Sequence, residues 1–339
     1  MTSSIIRSVR SVALAIGLLA CLGSATELAV STLPPMSGNV LVANQQSANA
    51  ALIDLATSTM RLIDVGTGPH EAAISPNGRI GVVTVYGTQV PGNQLAIIDI
   101  ATARVTKTIS LGEHTRPHGV VFIPGDENRV LVTSEATQRV VKVNIADGKV
   151  EGFVSTTAQG SHMVAITANG RRAYTANIGS GSVSEIDVTA MTLLRTFPAG
   201  PRSEGIAVAP DGSTVWVGSN TDGAVTVINT ATGTVAGTLT GFSLPYRLAI
   251  SADGRLAIIC DPQGDAIHVA DVAERKVLWS VNSLGSPRGV TISPDNAIAF
   301  VTLAGDPSMA AIDLSTRQVL GKVAVGASPD GVGYGRSIK

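Results

Sequence analysis

Seven residues of unlike chemistry recur along this 339-residue chain at a nearly constant interval. They are His70, His118, His162, Glu204, Tyr246, Arg288 and Asp330, in steps of 48, 44, 42, 42, 42 and 42. Three of the five histidines occupy three successive positions of this series, and a fourth, His114, lies just before His118. Neutral imidazoles together with a carboxylate such as Glu204 suit Zn²⁺, Cu²⁺ or Fe²⁺. At the other end of the series, Arg288 with Tyr246 and its neighbour Arg247 suits an anionic group, because the guanidinium fork matches a carboxylate or a phosphate. Residues kept only for folding repeat the same chemistry; imidazole, carboxylate, phenol and guanidinium at one register do not.

The elements that position these residues are short and repeated. The stretch 287–326 carries four alternating apolar runs, VTI, AIAFVT, MAAIDL and VLGKVAV, broken by SPDN, AGDPS and STRQ. Alternation of period two with turn residues between runs reads as four strands joined by tight turns. One such unit cannot bury both faces of its small sheet and must stack on its own kind. Asp or Asn closes the third strand at Asp54, Asp99, Asn144, Asp187, Asn229, Asp271 and Asp313, which counts seven units. These side chains, and the Asn77, Asn169, Asp211 and Asp253 that precede Gly in the first hairpins, read as turn chemistry.

The unit at 39–66 lacks a first strand, and DGVGYG at 330–335 is a first strand with nothing after it. The two complete each other. The expected fold is all-β: a seven-bladed β-propeller of four-stranded blades, its ring closed by the C-terminal strand pairing with the N-terminal blade. The first strand of each blade lies innermost, so the seven residues should converge at the mouth of the central channel. That face should also carry the loops between second and third strands, at 43–49, 84–94, 134–139, 176–182, 218–224, 260–266 and 303–309. The longest of these is TVYGTQVPGNQ, 84–94.

SPRGVTISPDN with AFVT, and RSEGIAVAPDGSTVWVGSN, resemble the repeat P-x-G-I-A-V-S-P-D-G-x-x-x-Y-V of the YVTN family of β-propellers, over about residues 37–335. The chain is similar to the periplasmic, YncE-like members. The resemblance implies the propeller fold and leaves function open, since such rings serve as binding platforms, enzyme scaffolds and surface proteins. It also raises single-stranded DNA as a ligand. Only 3% of residues are aromatic, which is poor material for base stacking. Net charge is −1, with 24 basic and 25 acidic residues, and a nucleic-acid partner is not expected.

Residues 1–25 read as an export signal: Arg7 and Arg10, an apolar centre at 12–22, then small residues to Ala25. A second reading stays open, since Leu18-Leu19-Ala20-Cys21 resembles a lipobox that would lipidate Cys21 and anchor the chain. Either places the protein in the periplasm or outside the cell. Cleavage after Ala25 removes Arg7 and Arg10, leaving 22 basic against 25 acidic residues, net −3. It also leaves Cys260 as the sole cysteine, in a slot otherwise held by small residues, which reads as a buried thiol. A lead-in follows at 26–38, then the propeller at 39–335 and a tail at 336–339. His268, in a third strand, reads as structural.

The chain has no G-x-S-x-G elbow, no H-E-x-x-H, no C-x-x-C-H and no P-loop. The expected function is therefore a binding or interaction scaffold, monomeric, without a transmembrane span, holding a small ligand or protein partner at the channel mouth. Two alternatives stay open. One is a metal-dependent periplasmic enzyme or metal-binding protein with His70, His118 and His162 as ligands. The other is a partner subunit of a periplasmic redox system. A funnel lined with solvated polar residues that binds nothing is the reading all of these must beat.

Overall fold

A computed structural model describes residues 27–29 and 33–337. The export signal and Cys21 lie outside the described residues. Every regular element described is a β-strand, and the strands form seven antiparallel sheets. Six sheets hold four strands in chain order. In the second blade these are Pro69–Ile74, Ile80–Gly87, Pro91–Asp99 and Arg104–Ser110. The seventh sheet is composite. Pro329–Gly335 pairs with Asn39–Asn44, matching Val332 with Val42, and so supplies the missing inner strand of the first blade. Closure by the C-terminal strand is as expected. A short strand, Glu27–Ala29, adds a fifth member outside Thr59–Asp64, within the segment read as a lead-in.

The alternation of side chains explains how the blades stack. Successive residues of a strand point to opposite faces of its sheet. In Asn39–Asn44, Val40 and Val42 pack with Phe300 and Met309 of the seventh blade, while Leu41 and Ala43 pack with Val83 and Ile98 of the second. Each interface between neighbouring blades has such an apolar cluster, seven in all. Fully burying one Leu, Ile or Val side chain is worth about 1.5–3 kcal/mol, so stacking rather than any single blade holds the ring. Cys260 is a fully buried free thiol in the cluster between the sixth and seventh blades.

The turns behave as their residues require. Asp54 Oδ1 accepts from the Ala56 and Thr57 amides, and Asp313 Oδ1 accepts from those of Ser315 and Thr316. The segment 84–94 differs from the loop expected. Its strands run on to Gly87 and from Pro91, making a hairpin that stands beyond the other blades, with Gly87 at φ 83° where only glycine is unstrained.

Three features recur where inner strands start. Pairing with the second strand slips there, for example between Pro69 and Ala72 and between Pro287 and Val290, a bulge that bends the strand and redirects its side chains. Adjacent inner strands also approach closely: a Cβ on Gly289 would lie 2.1 Å from the Asp330 carbonyl oxygen, and one on Gly119 3.0 Å from that of His162. Finally, threonines of the second strands tie neighbouring blades together. Thr133 Oγ1 accepts from the Gly119 amide and donates to the His162 carbonyl; Thr302 Oγ1 does the same for Gly289 and Asp330. These threonines occupy the slot that Cys260 fills in the sixth blade.

Candidate functional site

Six of the seven ring residues lie at the start of an inner strand and Tyr246 precedes its strand, Leu248–Ile250, but five of them do not line a wet funnel. His118 and Asp330 are each 1% exposed, Glu204 is 3%, and His70 and His162 are buried as well. The three imidazoles form a stack, with ring centroids 4.0 Å apart for His70 and His118 and 3.7 Å for His118 and His162. His162 Nε2 lies 2.7 Å from Glu204 Oε1, and its Nδ1 faces Glu135 Oε2 at 3.6 Å. His70 Nδ1 lies 3.1 Å from Asp330 Oδ2 across the closure of the ring.

The residue after each ring position matters as much. That register is glycine at 119, 205, 289 and 331 and Met163 in the fourth blade, but Glu71 and Arg247 in the second and sixth blades. These two meet. Arg247 donates through Nε and Nη2 to Glu71 Oε1, at 3.1 and 2.8 Å, and through Nη1 to Glu204 Oε1 at 2.6 Å. Arg247 is therefore committed to two carboxylates of its own chain and is not free to clamp an anionic ligand. Its guanidinium also lies over the Tyr246 ring, 4.3 Å from the centroid. Arg288 stays half-buried, its Nη1 3.4 Å from Ser328 Oγ.

Above the imidazoles, Tyr86 of the extended hairpin packs edge-on against His70 and His118 and donates to Glu135 Oε2 at 2.8 Å. Arg116 lies over the other side of its ring, 4.7 Å from the centroid. A cleft of about 430 Å³ opens here, lined by Gln45, Gln46, Thr67, Tyr86, Thr88 and Arg116. The ring and the loops between second and third strands thus share a face. His114 is elsewhere, against Phe153 and Arg139, and His268 bonds Ser280.

Burial and charge divide the three histidines. Burial drives His70 down to about 4 against the pull of Asp330, and His118, with no carboxylate of its own, is held well below the usual histidine range. Both are neutral near pH 7. Burial also opposes charge on His162, yet Glu204 and Glu135 outweigh it and raise that residue to about 9. Glu204 is correspondingly held down at about 2, burial being overcome by His162 and Arg247. Burial pushes Glu71 up, to about 7, despite Arg247.

The donor atoms form two overlapping groups rather than one ring. His70, Glu71 and His118 lie within 4.8 Å of one another, as do His118, Glu135 and His162. His118 belongs to both; His70 and His162 do not share a group. Glu204, read in the sequence as a carboxylate to join the imidazoles on a metal, is placed as the counter-ion of His162 and Arg247. Glu71, Tyr86 and Glu135 had not been singled out in the sequence. Glu71 was visible one register on from His70, and the other two stand in loops expected at this face.

No family model matches the chain, and no curated protein matches it. Among solved structures, it is similar to a chain of the hydrazine synthase of Kuenenia stuttgartiensis, with a TM-score of 0.72 and 18% identity, over 84% of this chain and 97% of that one. At that identity the likeness speaks for the fold alone: this is a seven-bladed β-propeller.

Proposed function

We propose that the protein is an exported binding propeller of the YVTN type, whose working face is the one on which the inner strands begin. The observation that carries this is the convergence of three imidazoles and two carboxylates, His70, His118, His162, Glu204 and Asp330, from five blades into one buried cluster beneath the Tyr86–Arg116 cleft. The opposite face has a larger cleft, about 820 Å³, but turn residues such as Pro76, Asn77, Pro294 and Asp295 line it, and these are repeat chemistry. The ligand seated at the working face is a small molecule or a segment of a protein partner. A partner subunit of a periplasmic redox system is the second reading.

Photocrosslinking in the intact cell envelope tests the face. A photoreactive side chain at Thr88 or Val90 should give a discrete adduct, and one at Asp211 on the far face should not. Adducts from neither face, or equally from both, would overturn the reading. The N-terminus of the mature chain tests export: mass spectrometry should find a start at Thr26 or a lipidated Cys21, and a cytoplasmic chain retaining residues 1–25 would refute it.

A further inference from the structure

Buried polar atoms in folded proteins nearly always have hydrogen-bond partners, and exceptions ask for a reason. Six such atoms without a partner gather in this one cluster: His70 Nδ1, both nitrogens of His118, His162 Nδ1 and both oxygens of Asp330. His70 Nδ1 and Asp330 Oδ2 are only 3.1 Å apart, yet their alignment makes no hydrogen bond. The cluster also holds an excess of formal negative charge. The carboxylates of Glu71, Glu135, Glu204 and Asp330 face Arg247 and the histidines, and among the described residues Arg247 is the fixed cation bonded to them. Unsatisfied lone pairs beside uncompensated carboxylates are what a dehydrated cation completes.

The two donor groups are not equally available. In the group of His118, Glu135 and His162, each nitrogen of His162 already faces a carboxylate, and Glu135 Oε2 accepts from Tyr86. In the group of His70, Glu71 and His118, no hydrogen bond among the described residues engages the His118 ring, and Arg247 bonds Glu71 through Oε1. We propose that His70, Glu71 and His118 bind one divalent first-row transition cation, with Asp330, 3.1 Å from His70 Nδ1, as the carboxylate that would accept that ring's N–H once the ion is bound. Two imidazoles and one carboxylate suit Zn²⁺, Fe²⁺ or Co²⁺ and leave coordination positions for a ligand. A carboxylate behind a ligating histidine fixes its orientation and raises its basicity. This deepens the reading of the working face by naming a ligand class, and its failure would leave the crosslinking result untouched.

The test uses the exported chain without a polyhistidine tag, stripped with a chelator and titrated with Co²⁺, followed by Zn²⁺ competition. One equivalent of Co²⁺ should bind with visible d–d bands of a nitrogen- and oxygen-ligated ion. His118→Ala, His70→Ala and Glu71→Gln should each lose those bands while keeping the wild-type circular dichroism. Asp330→Asn should bind about 10- to 100-fold more weakly, and His268→Ala, whose ring bonds Ser280 away from the cluster, should bind like the wild type. A wild-type chain that binds no cation would overturn the proposal, as would loss of binding in His268→Ala or its retention in His70→Ala.

Discussion

At the scale of single residues, Glu204 is the hub. Its Oε1 takes both the His162 imidazole and the Arg247 guanidinium, with all three side chains buried. Removing one member of a buried charged network strands the others, at about 3–5 kcal/mol. Glu204→Gln should therefore cost that much in urea unfolding, whereas substituting the half-buried Arg288 by Gln should cost under about 1 kcal/mol, as expected away from such networks. The same hub sets a pH dependence. His162 rises from the ordinary 6.5 to about 9, so it holds more proton folded than unfolded. Its stabilisation is complete below pH 6.5 and fades as pH climbs through about 9, by about 3 kcal/mol in total. His70 and Glu71 titrate at about 4 and about 7, mostly below that window. Stability of the metal-free protein should therefore decline between pH 6.5 and 9, and His162→Gln should remove most of that slope.

At the scale of the elements, the inner strands carry the site and are themselves held by their neighbours. Thr302 Oγ1 satisfies the Gly289 amide and clasps the Asp330 carbonyl, so Thr302→Val leaves a buried amide unsatisfied. A loss of about 1–3 kcal/mol is expected. Gly289→Ala should be costlier, since its methyl group would overlap the Asp330 carbonyl and the backbone of another blade cannot yield locally. Both variants should also loosen the His70–Asp330 contact, observable as a shift in the His70 ring signals by NMR. A Gly289→Ala protein as stable as the wild type would mean that the inner strands can separate without penalty.

At the scale of the whole molecule, the ring depends on one pairing, Pro329–Gly335 with Asn39–Asn44, and the Gly38 amide also donates to Ser337 Oγ at 2.8 Å. Ending the chain at residue 328 would bare the edge of Asn39–Asn44 and remove Asp330 from the cluster. Such a chain should lose its single cooperative unfolding transition and associate through the open edge. A circular permutant that joins the native ends and opens at Gly305 keeps every strand pair and should unfold as one unit, which calorimetry would show.

The number of blades, the strand pattern, the turn residues and the closure by DGVGYG were legible in the sequence, because each follows from local rules: period two, turn chemistry and a fixed repeat. The ring of His70, His118, His162, Glu204 and Asp330 was legible for the same reason, as one register position of that repeat. What the tertiary structure decided is which of those residues meet and in what environment. Glu71 and Arg247 bond across 176 positions of chain, Tyr86 and Glu135 cover the imidazoles from two different blades, and the histidines stack so that only His118 serves both donor groups. No local rule encodes these contacts. They arise from the curvature of seven sheets brought to a common axis, which also buries the residues that a channel mouth was expected to expose and thereby separates three identical imidazoles into two neutral groups and one charged.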